Sequence, residues 1–90
     1  MKPEPYKRTP TFDQDTLPAA IRNAHNTKQG VWALLVVTSG EVRLVFDEPP
    51  RDVTVRPGEP GLIPPTEVHH VETDGAMEMH VEFYRDKPLI

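Results

Sequence analysis

Four histidines, His25, His69, His70 and His80, hold most of the chemistry this sequence offers. Neutral imidazole is the commonest protein ligand for borderline transition metals, so the first question is which of the four can share a site. His69 and His70 lie in EVHHVE (67–72), which reads as a strand. Successive side chains on a strand point to opposite faces, so at most one of the pair faces a given site unless a bulge intervenes. In MEMHVEFYR (77–85), His80 shares a face with Glu82, and Met77, Met79, Val81 and Phe83 share the other. Two arrangements fit that strand. In one, the methionines and Phe83 are core and Glu82 meets water. In the other, the even-numbered face lines the mouth of a barrel and a partner subunit covers the odd-numbered face. The chain has no cysteine, so disulfide and thiol chemistry are excluded. It shows neither a nucleophile–base constellation nor a phosphate loop, since no helix follows Gly58 or Gly61 to hold an anion. Trp32 reads as core or rim, and Arg43 as part of a solvated strand face.

The elements that would position these residues are short strands. Eleven prolines in ninety residues exclude long helices and favour strands joined by stiff turns. Residues 1–12, polar and carrying Pro3, Pro5 and Pro10, read as an extended arm. Thr16 is a candidate N-cap for a turn or two of helix over about Pro18 to Ala24, and NTKQG (26–30) is a loop. VWALLVVT (31–38) is a continuous apolar, β-branched run, as expected of a strand buried on both faces. SG (39–40) followed by the alternating EVRLVF (41–46) reads as a hairpin with a two-residue loop. Turns at DEPPRD (47–52), PGEPG (57–61) and TDGA (73–76) separate the strands VTVR (53–56), EVHHVE (67–72) and MEMHVEFYR (77–85). About six short strands with turn signals every 8–12 residues suit a small sandwich or barrel.

Bulk composition removes several functional classes. The formal charge is −4, from ten basic against fourteen acidic residues with no basic run, which argues against a nucleic-acid partner. No apolar stretch approaches the ~18 residues of a membrane span. MKPEPYKRTP lacks the apolar middle of a signal peptide. A cytoplasmic protein is therefore expected. Ninety residues make one domain with a modest core, and dimerisation would cover an apolar face or edge strand that so small a chain otherwise exposes.

Two resemblances sharpen this. GEPGLIPPTEVH (58–69) resembles the second sequence pattern of the cupin superfamily. Gly58, Pro64 and His69 fall on that pattern, Thr66 stands at its last glycine, and Thr73 at a later asparagine. The match selects His69 over His70. The histidines and glutamate of the first cupin pattern are missing; Ala33 stands at the glutamate position, so the standard four-ligand cupin site is absent. More closely, TPTFDQDTLPAAI, HNTKQGVWALLVVTSGEVRL, PGEPGLIPPTEVHHVE and HVEFYRD together resemble the cupin-like TehB/YeaR-like domain family, over about Thr9 to Asp86. Members occur alone or fused ahead of the methyltransferase in some tellurite-resistance proteins.

The strand pattern and the resemblance together imply an all-β, cupin-like small β-barrel or sandwich of jelly-roll type; an arm over 1–12, one domain over 13–90 and a homodimer are expected from composition, strand faces and chain size. The resemblance also implies a three-ligand face of His25, His69 and Glu82; His80, two residues from Glu82 on the same strand face, is the reserve ligand. Such a face would hold a divalent ion such as zinc, nickel or iron and leave a position open for a small molecule or oxyanion. The expected function is thus a metal-binding module in a stress or tellurite-resistance setting. A metal-dependent, dioxygenase-like enzyme and a metal-free accessory domain docking a partner such as a methyltransferase are the alternatives. No catalytic residue can be assigned, so the reading leans away from an enzyme.

Overall fold

A computed structural model describes residues 4–23 and 25–88, with the side chains of His25 and Asn26 outside the description. In chain order the elements are β1 (Lys7–Arg8), β2 (Phe12–Asp13), α1 (Ala19–Arg22), β3 (His25–Asn26), β4 (Trp32–Ser39), β5 (Val42–Asp47), β6 (Pro50–Val55), β7 (Gly61–Ile63), β8 (Val68–Glu72) and β9 (Glu78–Tyr84). They form two antiparallel sheets. One has the order β1-β9-β4-β7, with β2 also on β9; the other runs β3-β8-β5-β6. The sheets remain open, so the fold is an all-β sandwich and not a closed barrel. Among the described residues, no helix is long and apolar enough to cross a membrane.

Strand β4 shows why the sequence chooses this arrangement. It lies between β9 and β7, so both of its edges are paired. Ala33, Leu35 and Val37 enter the core, while Leu34, on the other face, is also only 7% exposed. The continuous apolar run therefore matches burial on both faces. The core is completed by Val42, Leu44 and Phe46 of β5, Val71 of β8, and Met79 and Val81 of β9. Alternation sends the residues between them outward.

The SG corner departs from the expected hairpin. Strands β4 and β5 do not pair; β4 pairs with β7 and β9, and β5 with β6 and β8. The chain crosses here from one sheet to the other. Gly40 makes the crossing with φ 72, and a Cβ on it would lie 2.4 Å from the carbonyl oxygen of Ala76, in the approach to β9. A two-residue turn signal reports local backbone freedom, but the tertiary contact decides which strands meet. The hairpin in this region is instead β5–β6, closed by Glu48–Pro49, whose peptide bond is cis.

The N-terminal residues are extended, and they are also paired. The backbone N–H of Tyr6 donates to the Phe83 carbonyl, and that of Thr9 to the Val81 carbonyl, each at 2.9 Å. Pro5 and Pro10 flank this strand where missing donors cost little. Helix α1 is shorter than expected, and its N-cap is Pro18 with no side-chain cap. Thr16 serves the preceding turn: its Oγ1 accepts from the Asp13 N–H at 2.8 Å, and Asp13 Oδ1 accepts from the N–H groups of Asp15 and Thr16.

Substituting Gly40 by alanine is expected to lower stability by about 2 kcal/mol or more, since backbone strain adds to a clash with main chain. Gly58→Ala, with φ 83 and nothing within 4 Å of the added Cβ, should cost only about 1 kcal/mol. Urea denaturation midpoints check the contrast; equal losses would show that the Gly40 contact is unimportant.

Candidate functional site

Between the sheets lies a cavity of about 460 Å³. Its walls are inward residues: Ala33 and Leu35 of β4, Ile63 of β7, Val71 of β8, and Val81 and Phe83 of β9. The mouth is formed by Tyr6, Lys7 and Thr9 from the arm, Ile21 of α1, and Thr27, Lys28 and Val31 from the loop before β4. A space of this size, mostly apolar with a few polar groups, suits a small molecule.

His69 lines this cavity and is only 6% exposed. Its Nδ1 lies 2.8 Å from the Glu67 carbonyl oxygen. A carbonyl only accepts, so Nδ1 carries a proton and donates to it. Phe46 packs at a centroid distance of 6.1 Å and is capped by the Arg51 guanidinium, which pairs with Glu67. Ring tilt and the donor role of Nδ1 are thus both set by neighbours. The β3–β8 register puts His25 directly opposite His69; the His25 side chain lies outside the described residues. His70 is on the outer face of its sheet, 2.8 Å from Glu72.

Glu82 stands elsewhere. Val81 and Phe83 face the cavity, so alternation turns Glu82 to the outer face of its sheet, opposite Leu34 of β4. There its Oε2 accepts from Arg8 at 3.1 Å and lies 2.9 Å from His80 Nε2, while the Tyr84 hydroxyl donates to Oε1 at 2.7 Å. Burial pushes the Glu82 carboxyl up, but the hydrogen bonds from Tyr84 and His80 and the neighbouring charges outweigh it and leave it below its ordinary range. Burial, reinforced by the Glu82 carboxylate, pushes Tyr84 up to about 12. The structure therefore separates His69 from Glu82 across a sheet. Among the described residues, no group of three or more His, Asp or Glu side chains could hold a metal ion.

Sequence reasoning missed the arm and loop residues of the mouth, Tyr6, Lys7, Thr9, Ile21, Thr27 and Lys28. One signal was available: Pro5 and Pro10 bracket a segment short enough to be an edge strand. The cupin-pattern position Thr66 is informative in a second way. It adopts φ 67, the left-handed conformation that glycine would take there, and its N–H donates to the Thr27 carbonyl at 2.9 Å, tying the mouth loop to the approach to β8.

Comparison with known proteins gives the family and the fold. The family model described as the TehB-like domain matches residues 7–81. Over 38 residues, 42% of this chain, the sequence is 40% identical to the probable S-adenosyl-L-methionine-dependent methyltransferase TehB of Haemophilus influenzae (strain 10810), of which the match spans 13%. The crystal structure of TehB from Haemophilus influenzae superposes with a TM-score of 0.81 at 27% identity, covering 92% of this chain and 31% of that one. A crystal structure of an Escherichia coli K12 protein also superposes with a TM-score of 0.81, at 24% identity, covering 98% of this chain and 94% of that one. That last likeness shows the fold alone. The chain spans about a third or less of the TehB proteins it matches. These findings correct the expected metal module and its dioxygenase-like alternative. The relative is named for dependence on S-adenosyl-L-methionine, not on zinc, nickel or iron, and His69 and Glu82 do not converge.

Two outcomes follow from the site geometry. Thr66→Gly should raise stability by about 1 kcal/mol, because relief of a β-branched residue at positive φ exceeds the entropy that glycine adds to the unfolded chain; a drop in the denaturation midpoint would contradict this. Tyr84 has a folded pKa above its unfolded value, so its contribution is complete below pH ~10 and disappears as pH rises through about 12. In a spectrophotometric titration, one of the two tyrosines should ionise only near pH 12, and Tyr84→Phe should abolish that late step.

Proposed function

We propose, for a chain that belongs to the TehB-like domain family, that it binds a small molecule between its sheets in support of S-adenosyl-L-methionine-dependent methyl transfer. The observation that carries this reading is the apolar cavity of about 460 Å³ with His69 held rigidly in its wall. The link to methyl transfer comes from the TehB structure, whose overlap covers 92% of this chain. Methyl donor and transfer chemistry fall to the methyltransferase, which is either a separate partner or the remainder of a longer chain. In this division of labour the present domain selects or presents a molecule, and no residue of it is assigned a bond-making step.

The same reading takes the domain as cupin-like, supported by the left-handed Thr66 at the pattern's glycine position. It places residues 1–12 as an arm and 13–90 as the domain, in a cytoplasmic protein tied to tellurite resistance. A homodimer is included, supported by the outer face of β4, where Trp32 and Val36 remain partly exposed on either side of the buried Leu34.

A chimaera tests the proposal. The region of Haemophilus influenzae TehB that overlaps this chain is removed and replaced by this chain, and methyltransferase turnover is compared with that of the truncated enzyme. Restored turnover is expected, with loss on Ala33→Phe, which fills the cavity, once thermal melting confirms that the variant is folded. Turnover that is indifferent to the presence of this chain would refute the assignment.

A further inference from the structure

The charges around the cavity run against those of the chain. The protein carries fourteen acidic against ten basic residues. Yet the charged side chains lining the cavity are Lys7 and Lys28, and among the described residues no carboxylate lines it. Elsewhere, four arginines are matched by carboxylates, while Arg85 and Lys87 lie over the rings of Tyr6 and Trp32. Arg8 pairs with Glu82, Arg43 with Asp52, Arg51 with Glu67 and Arg56 with Glu41. Lys7 and Lys28 form no ion pair among the described residues. Two ammonium groups without a carboxylate partner at one mouth create a local positive field there.

The interior sets a second requirement. Ile63, Val71, Val81 and Phe83 offer nothing to a hydrated ion. A species that must keep its water shell loses hydrogen bonds on entering, and that cost is not recovered from apolar walls. A molecule with an apolar body gains by the same burial.

From these two constraints we infer that the ligand is a small organic acid: an aryl or branched alkyl body seated between the sheets, with one anionic headgroup at the mouth beside Lys7 and Lys28. This rests on the cavity reading above. The Thr66 N–H bond to the Thr27 carbonyl anchors the segment carrying Lys28 to the approach to β8, and the paired arm holds Lys7, so both cations are borne by fixed backbone. His69, with its ring fixed through Nδ1, supplies a polar edge on the cavity wall.

The test uses three probes of matched simplicity: benzoate, benzamide and inorganic phosphate. Binding is read from amide shifts of cavity residues such as Val71 and Val81 in two-dimensional nitrogen–proton spectra of the full chain. Benzoate is expected to bind about tenfold more tightly than the isosteric benzamide at low ionic strength, with the advantage shrinking as salt rises. The double variant Lys7→Met, Lys28→Met should erase that preference while leaving benzamide binding unchanged, which separates lost charge from lost fold. Equal binding of benzamide and benzoate would overturn the acid class but leave the cavity reading standing. Phosphate binding as tightly as benzoate would overturn the apolar body. Failure of both aromatic probes would overturn the cavity reading together with this one.

Discussion

Strand β9 is held on one edge by β4 and on the other by the arm, and its register decides what every neighbouring side chain does. Seven residue pairs lock it to β4, and Lys7–Arg8 and Phe12–Asp13 lock its other edge. In this register Met79 and Val81 are buried in the core, while His80, Glu82 and Tyr84 turn outward. A slip of one residue would invert both sets. Burying Met79 contributes about 2 kcal/mol, whereas enclosing Glu82 without partners would cost several. The difference between those two outcomes fixes the strand, and with it the cavity wall made by Val81 and Phe83.

Period-two alternation made much of the fold legible. EVRLVF and MEMHVEFYR show which of their residues are inward, and the unbroken VWALLVVT matches a strand with both faces covered. Alternation says which face of a strand is buried but not which strand lies beside it. The β4–β5 corner illustrates the gap, because Gly40 is explained by Ala76, 36 positions further on. Elements of two residues, such as β1, β2 and β3, are too short to display any period at all.

The site was legible in part, for the same reason. Alternation and a glycine-to-histidine spacing separate His69 from His70, and the structure puts the first in the cavity wall and the second on the outer face. Glu82 was grouped with His69 on the strength of residue types carried over from a family pattern, without knowledge of which side of the sheet it occupied. Its own strand held the correcting information: if Met79 and Val81 are core, Glu82 is not. Lys7 and Lys28 carried no signal. Exposed lysines in polar segments look alike in sequence, and only the folding of arm and loop over one opening sets these two apart.

The arm works on both sides of its sheet at once. Tyr6, Lys7 and Thr9 form part of the cavity rim, while Arg8 reaches the opposite face and pairs with Glu82, 74 positions away in the chain. Docking of the arm and filling of the cavity by the proposed ligand would therefore depend on one strand. Thermodynamic reciprocity couples them: free energy that a bound molecule gains from the rim reappears as tighter arm docking. Loosening Arg8 from Glu82 would correspondingly weaken binding of the proposed ligand, although neither residue lines the cavity.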